Sequence, residues 1–490
     1  MVFLGIDIGT GGSRAVLIDK TGTVLCSATA EHAPFASPEI GWAEQDPDDW
    51  WRAASEAIGK ICLENPANAK RIAAVGLSGQ MHGAVLLDDS GNVIRPAIIW
   101  CDQRTEKQGR KLTSEFGKDT LIELVSNPAL PNMTLTKLLW VREHERDNWN
   151  NVAKVMLPKD YVRFRMTGKV ATDVSDASGT LMLDVSKRKW SAEVISRLGI
   201  NHELLPAVYE SHELTGEVTE NCAAETGLEA GIPVVAGAGD NAAGAIGMGT
   251  VGPGQTSVTI GTSGVAFTVI DKPKIDLKGR IHTFCHAIPD RWHLTGVTQA
   301  AGYSLKWFRD NFGAGKDYVE LVSEAEEIEP GADGLIWTPY LMGERTPHVD
   351  PNARASLIGL TASHTNAHVV RAILEGVAFS LKDCLEVFRE LDLPIGRIRL
   401  GGGGAKSDLW RKIQADIYGQ TVETIAAEEG AAFGAALLAG VGAGAWSSID
   451  DASEKTIRVN RTIEPVRSTA ETYASIFETY KRVYPSQIAS

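Results

Sequence analysis

Along the chain, segments whose apolar residues have the spacing of a strand alternate with segments whose apolar residues have the spacing of a helix. Apolar runs of strand character, such as VFLGIDI (2–8) and IRLGG (398–402), are followed by segments whose apolar residues recur every three or four positions. Segment 46–65 opens with Asp and Pro, which favour a helix start, and segment 370–391 has the same helical spacing. Strands that alternate with helices in this way predict an α/β fold.

One pattern occurs in both halves of the chain. IGTGGSRAVLIDK (8–20) and IGTSGVAFTVIDK (260–272) agree at seven of thirteen positions. Each copy follows an apolar run and leads into another, so each predicts a β-hairpin with a glycine-containing turn. Because a duplicated domain explains this repeat, we expect two domains, 1–246 and 247–490, without a low-complexity linker between them.

Three glycine-containing turns, at 9–12, 261–264 and 401–404, are candidate phosphate sites. Glycine lets backbone N–H groups approach an anion without obstruction, and Thr10 and Thr262 add a hydroxyl to the first two turns. A single turn of this kind is most often only a turn. Two matched hairpins facing one another across a cleft, however, could hold a polyphosphate from both sides.

Two common nucleotide-binding signatures are absent from the sequence. GGGGAKS places its lysine in the wrong frame for a P-loop, which argues against a P-loop enzyme. GAGDNAAG does not fit the spacing of the dinucleotide fingerprint, so a dinucleotide-dependent dehydrogenase is a weak alternative.

Composition and charge exclude several classes of partner. The 490 residues are 43% hydrophobic and 22% charged, as in globular proteins, and the net charge of -14 opposes binding to nucleic acid or to an anionic membrane. The six cysteines form no CxxC pair, so we expect reduced thiols rather than a zinc site or a disulfide framework. We expect no secretory signal and a cytoplasmic protein, and segment 431–446 is predicted to be a packed helix followed by a loop, not a membrane span.

The stretch VAGAGDNAAGAIG (235–247) places one carboxylate, Asp240, among small residues. One interpretation is a loop with a solvated Asp. The other is a functional carboxylate where small residues allow the backbone to approach a ligand closely.

Motifs along nearly the whole chain resemble the FGGY family of carbohydrate kinases. In the family's order they are GIDIGT (5–10), GLSGQMHG (76–83), WCDQRT (100–105), KLLWVREH (137–144), PKDYVRFRMTG (158–168), SDASGT (175–180), GAGDNAAGAIG (237–247), IGTSG (260–264), GERTPH (343–348), ASLIGL with HVVRAILEG (355–376) and GGGAKSDLWRKIQAD (402–416). The resemblance implies two duplicated domains of the actin and sugar-kinase type, which is ribonuclease H-like, with ATP and a sugar in the cleft between them.

The resemblance also implies roles for individual residues. Asp240 matches the catalytic base, and Met81, His82 and Asn241 match sugar contacts. The implied ATP contacts are Thr10, Gly11, Arg14, Gly261, Thr262, Gly402, Gly403 and Lys406. From its position two residues before the first turn, Asp7 could hold Mg²⁺ through water, because this ion takes oxygen ligands and dehydrates reluctantly. From the residues alone, His82 would be a buried core histidine, and Arg14 is as often a surface residue as a phosphate contact.

The implied reaction is transfer of the γ-phosphate of ATP to the 5-hydroxyl of D-xylulose. Alternatives are a kinase for ribulose, erythritol or glycerol, and, from another class, an actin-like filament protein or a chaperone ATPase. GQMHG and GDN argue against the second class, because those ATPases lack a sugar site. Segment 100–104 has Cys101 and Gln103 where family members acting on D-xylulose often have Asn and Gly. The family also suggests a homodimer.

Overall fold

Two large sheets, each flanked by helices, make up most of the protein. The computed structural model describes residues 1–427 and 429–488. In this part of the chain the strands are β1 Val2–Ile8, β2 Gly12–Asp19, β3 Val24–Glu31, β4 Glu44–Gln45, β5 Ile72–Gly79, β6 Val85–Leu87, β7 Ala97–Ile98, β8 Lys154–Met156, β9 Ala171–Asp173, β10 Leu183–Asp184, β11 Lys189–Trp190, β12 Ala207–Tyr209, β13 Leu214–Glu217, β14 Pro233–Val235, β15 Ala238–Gly239, β16 Thr256–Ile260, β17 Gly264–Ile270, β18 His282–Cys285, β19 Trp292–Thr298, β20 Ile336–Thr338, β21 Ser356–Ile358, β22 Ile398–Gly402, β23 Val422–Ile425 and β24 Val459–Ile463.

The α-helices connect and cover these strands. They are α1 Pro47–Glu64, α2 Pro66–Ala69, α3 Glu106–Phe116, α4 Lys118–Val125, α5 Thr134–His144, α6 Arg146–Asn150, α7 Pro158–Thr167, α8 Val174–Ala177, α9 Ala192–Arg197, α10 Glu220–Thr226, α11 Asp240–Gly247, α12 Ala301–Phe312, α13 Tyr318–Glu326, α14 Asn366–Glu390, α15 Asp408–Tyr418, α16 Gly430–Gly442, α17 Ile449–Thr456 and α18 Arg467–Ile488. Among the described residues, no helix is both long enough and apolar enough to cross a bilayer.

The two large sheets share one topology. The first has the order β13-β14-β5-β1-β2-β3, with β15 paired to β5, and the second has the order β18-β19-β17-β16-β22-β23-β24. In each sheet three antiparallel strands are joined to two parallel strands and then to an antiparallel strand. The second sheet adds β18 at its other edge. The predicted fold class, two duplicated actin-like α/β domains, is therefore confirmed.

The repeated segments form corresponding hairpins that close differently. In the first hairpin, the last paired residues, Ile8 and Ser13, enclose four residues. In the second, the last paired residues, Ile260 and Gly264, enclose three. The predicted hairpins are thus present in both halves, but the shared Gly-Thr pattern lies on turns of unequal length.

Segments predicted to be helical from their periodicity are helices. The predicted start at 46–47 is the start of α1, where the Asp46 side chain accepts a hydrogen bond from the Asp48 N–H. Such a cap stabilises a helix by about 1 kcal/mol. Residues 370–390 of the predicted helical segment lie in α14 and Leu391 caps it, and IRLGG forms β22 directly before the third glycine turn.

Alternation along β1 sends its side chains to two different layers. Leu4, Ile6 and Ile8 pack with α1 in one buried cluster, whereas Phe3 packs in another cluster with α16. Gly5 lies on the same side as Phe3, and a Cβ atom there would collide with the Ala432 carbonyl of α16. Helix α16, which follows the second sheet in sequence, therefore covers a face of the first sheet.

Helices α11 and α16 cross between the two domains. Helix α11 follows the first sheet, yet its Ala245 packs on Phe267 and Val269 of the second. At the crossing, Gly434 faces the backbone of Ala243, and a Cβ on Gly434 would collide with that carbonyl. Glycine permits this close approach because it has no side chain. Segment 431–446 is a packed helix with a following loop, as predicted, and the domain boundary at 246/247, which falls at the end of α11, stays a prediction.

Candidate active site

A cavity of about 1630 Å³ lies between the domains and is lined by both of them. The first domain contributes the β2–β3 hairpin and the start of α11, and the second contributes β16, β17 and the glycine turn after β22. The predicted site residues that line it are Arg14, Asp240, Asn241, Gly402, Gly403 and Lys406. The sequence motifs that supply these residues are therefore brought together in one cleft.

Asp240 is the first residue of α11 and lies in the wall of this cavity. Burial raises the pKa of its carboxyl group to about 7, and the negative charge of Asp7 acts in the same direction. The Asn241 side chain donates a hydrogen bond to Asp240 Oδ1 at 3.2 Å. A carboxyl group that titrates near neutral pH in a cleft can accept a proton from a bound hydroxyl.

Asp7 lies on β1, opposite Arg14 of β2 and Ser78 of β5. Its Oδ1 atom is buried without a hydrogen-bond partner in the part of the chain that the structure describes. Burial raises the pKa of Asp7, while the Ser78 hydroxyl and the Arg14 charge act to lower it. An unpartnered carboxylate oxygen close to Asp240 fits an oxygen-bound cation such as Mg²⁺. Within the described residues no group of three or more His, Cys, Asp or Glu side chains could hold a metal ion, so substrate and water would complete such a shell.

In the first glycine turn the carbonyl groups accept hydrogen bonds, whereas only one of the first three amides, that of Gly9, has an acceptor among the described residues. Thr10 C=O accepts a hydrogen bond from Gln45 Nε2 at 2.8 Å, and Gly9 C=O accepts one from Gln80 Nε2 at 3.4 Å. The two glutamines are also joined to each other, at 2.9 Å. The N–H groups of Thr10 and Gly11 have no acceptor among residues 1–427 and 429–488. The turn can therefore donate to an anion.

In the second glycine turn the carbonyl groups also accept hydrogen bonds, but from backbone amides instead of glutamine side chains. Gly261 C=O accepts from Gly302 N–H at 2.8 Å, and Thr262 C=O accepts from Tyr303 N–H at 3.1 Å. Both donors lie in the first turn of α12, where amides lack partners inside the helix. The N–H groups of Thr262 and Ser263 have no acceptor among the described residues. Both turns thus present unpaired donors.

The third glycine turn is packed against the second hairpin. Gly402 has a left-handed backbone with φ of 72°, and a Cβ there would collide with the carbonyl of Ile260. Only glycine satisfies both conditions. The turn leads into α15, whose capping residue Ser407 accepts a hydrogen bond from the Trp410 N–H at 3.1 Å.

Met81 and His82 lie beside the start of α11. A Cβ on Gly239 would be 2.9 Å from Met81 Cγ, and Asn241 Nδ2 lies 3.7 Å from Met81 Sδ. His82 Nδ1 lies 2.8 Å from Gly179 O, and because a carbonyl only accepts, Nδ1 carries the proton and Nε2 remains an acceptor. Burial lowers the pKa of His82 to about 3, so the ring is neutral.

Sequence reasoning missed Lys137, which holds the backbone of His82. The buried Lys137 Nζ donates to His82 O at 2.6 Å and to Asn132 O at 2.7 Å. Burial lowers the pKa of this lysine to about 7. The residue lies in the recognised motif KLLWVREH, but its periodic pattern gives no indication of a partner so far away in the chain.

Sequence reasoning also missed β18, the extra edge strand of the second sheet. Its Phe284 ring lies 6.1 Å from the His82 ring, centroid to centroid. The Cys285 N–H donates to Ser178 Oγ at 3.0 Å, which joins β18 to the first domain. Nothing in the sequence of β18 identifies it as a wall of this site.

Comparison with known proteins agrees with this geometry. Residues 2–247 match the N-terminal domain of the FGGY family of carbohydrate kinases, and residues 256–443 match its C-terminal domain. The chain belongs to the FGGY family. This FGGY kinase is 41% identical to the xylulose kinase of Bacillus subtilis strain 168 over 481 residues, which cover 98% of this chain and 96% of the relative.

Two further relatives extend the comparison. The FGGY kinase is 38% identical to the xylulose kinase of Escherichia coli K12 over 484 residues, covering 99% of this chain and 98% of the relative. The crystal structure of a xyloylose kinase from Brucella ovis superposes with a TM-score of 0.94 at 36% identity and full coverage of both chains. The protein is therefore an enzyme, a sugar kinase, and the family implies that it uses ATP.

Cys101 and Gln103 differ from the family pattern, but the other residues of segment 100–104 keep contacts that hold this FGGY motif in place. Asp102 Oδ2 accepts a hydrogen bond from Ala43 N–H at 2.6 Å and pairs with the buried Arg104 guanidinium at 2.7 Å. Trp100 Nε1 donates to Thr10 Oγ1 at 2.9 Å, which connects the segment to the first glycine turn. Gln103 is exposed.

Proposed function

We propose that this FGGY kinase transfers the γ-phosphate of ATP to the 5-hydroxyl of D-xylulose, giving D-xylulose 5-phosphate and ADP. The observation that carries the proposal is the position of Asp240 and Asn241 in the wall of a cleft that both domains line, with Asn241 in contact with Met81, the residue before His82. The similarity to the xylulose kinases of B. subtilis and E. coli supports D-xylulose as the sugar.

Asp240 is proposed as the general base. It would accept the proton of the 5-hydroxyl while that oxygen forms its bond to the γ-phosphorus and the bond from phosphorus to ADP breaks. A base positioned in this way contributes about 10²–10⁴-fold to the rate. Its pKa of about 7 leaves a useful fraction of the side chain ionised at neutral pH.

The two hairpin turns are proposed to stabilise charge on the phosphates. The amides of Thr10, Gly11 and Thr262 have no acceptor among the described residues, and Arg14, on the strand that follows the first turn, lines the cleft. The Thr10 hydroxyl accepts from Trp100 and keeps its own proton to donate. Donors fixed in advance are effective because phosphoryl transfer depends mainly on positioning and charge stabilisation.

Asp7 is proposed to hold Mg²⁺, which when bound would neutralise phosphate charge. Gly261 would complete the second phosphate turn. Gly402, Gly403 and Lys406, which line the cavity, are proposed as contacts for the adenosine part of ATP. A cytoplasmic location and a homodimer remain predictions from the sequence.

A panel of sugars tests the substrate. With Mg-ATP, ADP release is expected to be fastest with D-xylulose and slower with ribulose, erythritol, glycerol and gluconate. Hydrogen bonds to hydroxyl groups can separate such substrates by several orders of magnitude, because a wrong configuration leaves buried polar groups unpaired. A higher kcat/KM for another sugar would replace D-xylulose and leave the kinase assignment in place. ATP hydrolysis that no sugar stimulates would contradict both.

The reaction is expected to slow on acidification through the uptake of one proton. Asp240 works as a base only when ionised, and its pKa in the empty cleft is about 7, raised by burial and by Asp7. A cation beside Asp7 would offset that second effect, so the apparent pKa should lie at or below about 7. Below it, log kcat/KM should fall by about one per pH unit. The residual activity of Asp240→Asn should not show this fall at low pH. A wild-type profile that is flat from about pH 5 to about pH 7 would refute the assignment of Asp240 as the base.

A further inference from the structure

Helix α11, which begins with Asp240, has no side chain to cap its first turn. Its capping residue is Gly239, and glycine has no side-chain oxygen that could accept a hydrogen bond there. The start of the helix therefore depends on the contacts that hold Gly239 itself. Gly239 pairs with Gly79 of β5, and a Cβ on Gly239 would lie 2.9 Å from Met81 Cγ. A displacement of Gly239 would move Asp240, the next residue, in the wall of the cleft.

The Gly239 amide is held by a hydroxyl group from another part of the first domain. Its N–H donates a hydrogen bond to Ser175 Oγ at 3.1 Å. Ser175 lies in α8, and both residues are buried. A buried amide needs such an acceptor, because leaving it unpaired costs free energy. The hydroxyl of Ser175 therefore determines where the strand before α11 can end.

The hydroxyl of Ser175 has a fixed direction. It donates its single proton to Asp173 Oδ2 at 2.6 Å, since an ionised carboxylate only accepts hydrogen bonds. The Ser175 N–H donates to the same oxygen at 2.8 Å. Because its proton is used in this way, Ser175 Oγ can act toward Gly239 only as an acceptor, as the Gly239 N–H requires.

Asp173 is itself held by buried charges. Its Oδ1 atom lies 3.0 Å from Lys159 Nζ, and Lys159 Nζ also lies 2.6 Å from Asp160 Oδ1. None of these three side chains is exposed to solvent. Displacing one partner of a buried pair leaves an uncompensated charge, so the pair resists movement. Contacts thus run from Lys159 through Asp173 and Ser175 to the amide of Gly239.

We propose that Ser175 is a positioning residue for phosphoryl transfer, which fixes the Asp240 carboxylate in the cleft by binding the amide of Gly239. The inference rests on the proposed function, since it takes Asp240 as the base. A general base must lie within hydrogen-bond reach of the hydroxyl that it deprotonates, and a misplacement of about 1 Å can lower the rate about 100-fold. Ser175 acts through Gly239, so its loss should change the rate of transfer and leave substrate binding unchanged.

Replacing Ser175 with Ala removes the acceptor of the Gly239 N–H. We expect kcat to fall about 10- to 100-fold, while KM for D-xylulose and the affinity for ATP stay close to those of the wild type. Ser211→Ala is the matched control. Ser211 Oγ is equally buried and donates to the same oxygen, Asp173 Oδ2, at 2.7 Å, whereas the Gly239 amide donates to Ser175. Both variants lose a buried hydroxyl, so both midpoints of thermal unfolding should fall, but only Ser175→Ala should lose kcat.

A double variant separates positioning from a general loss of stability. In the Asp240→Asn background, Ser175→Ala should cause little further loss of kcat, because no base remains to be positioned. Losses that add in full would mean that Ser175 acts independently of Asp240, since independent sites are additive. That result would overturn the proposal.

Equal losses of kcat in Ser175→Ala and Ser211→Ala, or wild-type kcat in Ser175→Ala, would also overturn it. If Ser175→Ala does not fold, Ser175→Cys enters the same comparisons, since a thiol fills the site but accepts hydrogen bonds only weakly. Near-normal turnover in Asp240→Asn alone, or a wild-type enzyme that does not phosphorylate D-xylulose, would refute the proposed function. Neither result depends on the Ser175 variants.

Discussion

Replacing Asp240 with Asn is expected to lower sugar phosphorylation by about 10²–10⁴-fold. Asparagine has nearly the same shape, so the start of α11 should be preserved, but it cannot accept the proton of the attacking hydroxyl. ATP binding should remain near normal, because the unpaired amides of the two turns are untouched. The measurements are kcat at saturating ATP and sugar, and ATP affinity by titration calorimetry.

Asp408→Asn is the matched control for this experiment. Asp408 lines the same cavity at the start of α15, but its side chain is exposed and lies outside the contacts that join Asp240, Asn241 and Met81. Its kcat at saturating ATP should stay close to that of the wild type. Near-normal turnover in Asp240→Asn, or an equal loss in both variants, would remove Asp240 from the role of base.

Replacing Gly434 with Ala is expected to destabilise the whole protein. A methyl group there would collide with the Ala243 carbonyl at the crossing of α11 and α16, so the two helices would have to separate. Overpacking of this kind costs about 1–3 kcal/mol. The midpoint of thermal unfolding should fall, and the activity should fall with it, because Asp240 lies on the displaced helix.

Gly244→Ala should have the opposite effect on stability. Gly244 lies in α11 itself, and a Cβ there meets no atom within 4 Å. Alanine favours a helix over glycine by up to about 1 kcal/mol, so the midpoint should rise or stay level. Midpoints that move in the same direction in the two variants would mean that the crossing is not closely packed.

Local features of the fold could be predicted from the sequence. The two hairpins follow from a repeated turn flanked by apolar runs, and the start of α1 follows from the Asp-Pro pair at 46–47. In each case the pattern and the structure it causes lie within the same short segment. The unequal turns were not predictable, because the two turn sequences are nearly the same while the register of a hairpin also depends on the hydrophobic pattern of its strands.

Features that depend on distant contacts could not be predicted. The hydrogen bond from Lys137 to the His82 carbonyl and the position of Phe284 beside the His82 ring arise only when segments far apart in the chain are brought together. The small residues of 235–247 are a related case. They were interpreted as room for a ligand, but Gly247 is needed for packing, since a Cβ there would collide with the Gly430 backbone. From the sequence alone, small residues that line a ligand cleft cannot be distinguished from small residues that allow two helices to cross closely.

The position of α16 also has a consequence for biosynthesis. The strands of the first sheet end at residue 239, yet one of its faces is covered by residues 430–442, near the end of the chain. Domains generally fold in order as they leave the ribosome. The N-terminal half would therefore leave the ribosome with one apolar face of its sheet exposed. That face would be covered only after nearly the entire polypeptide had been synthesised.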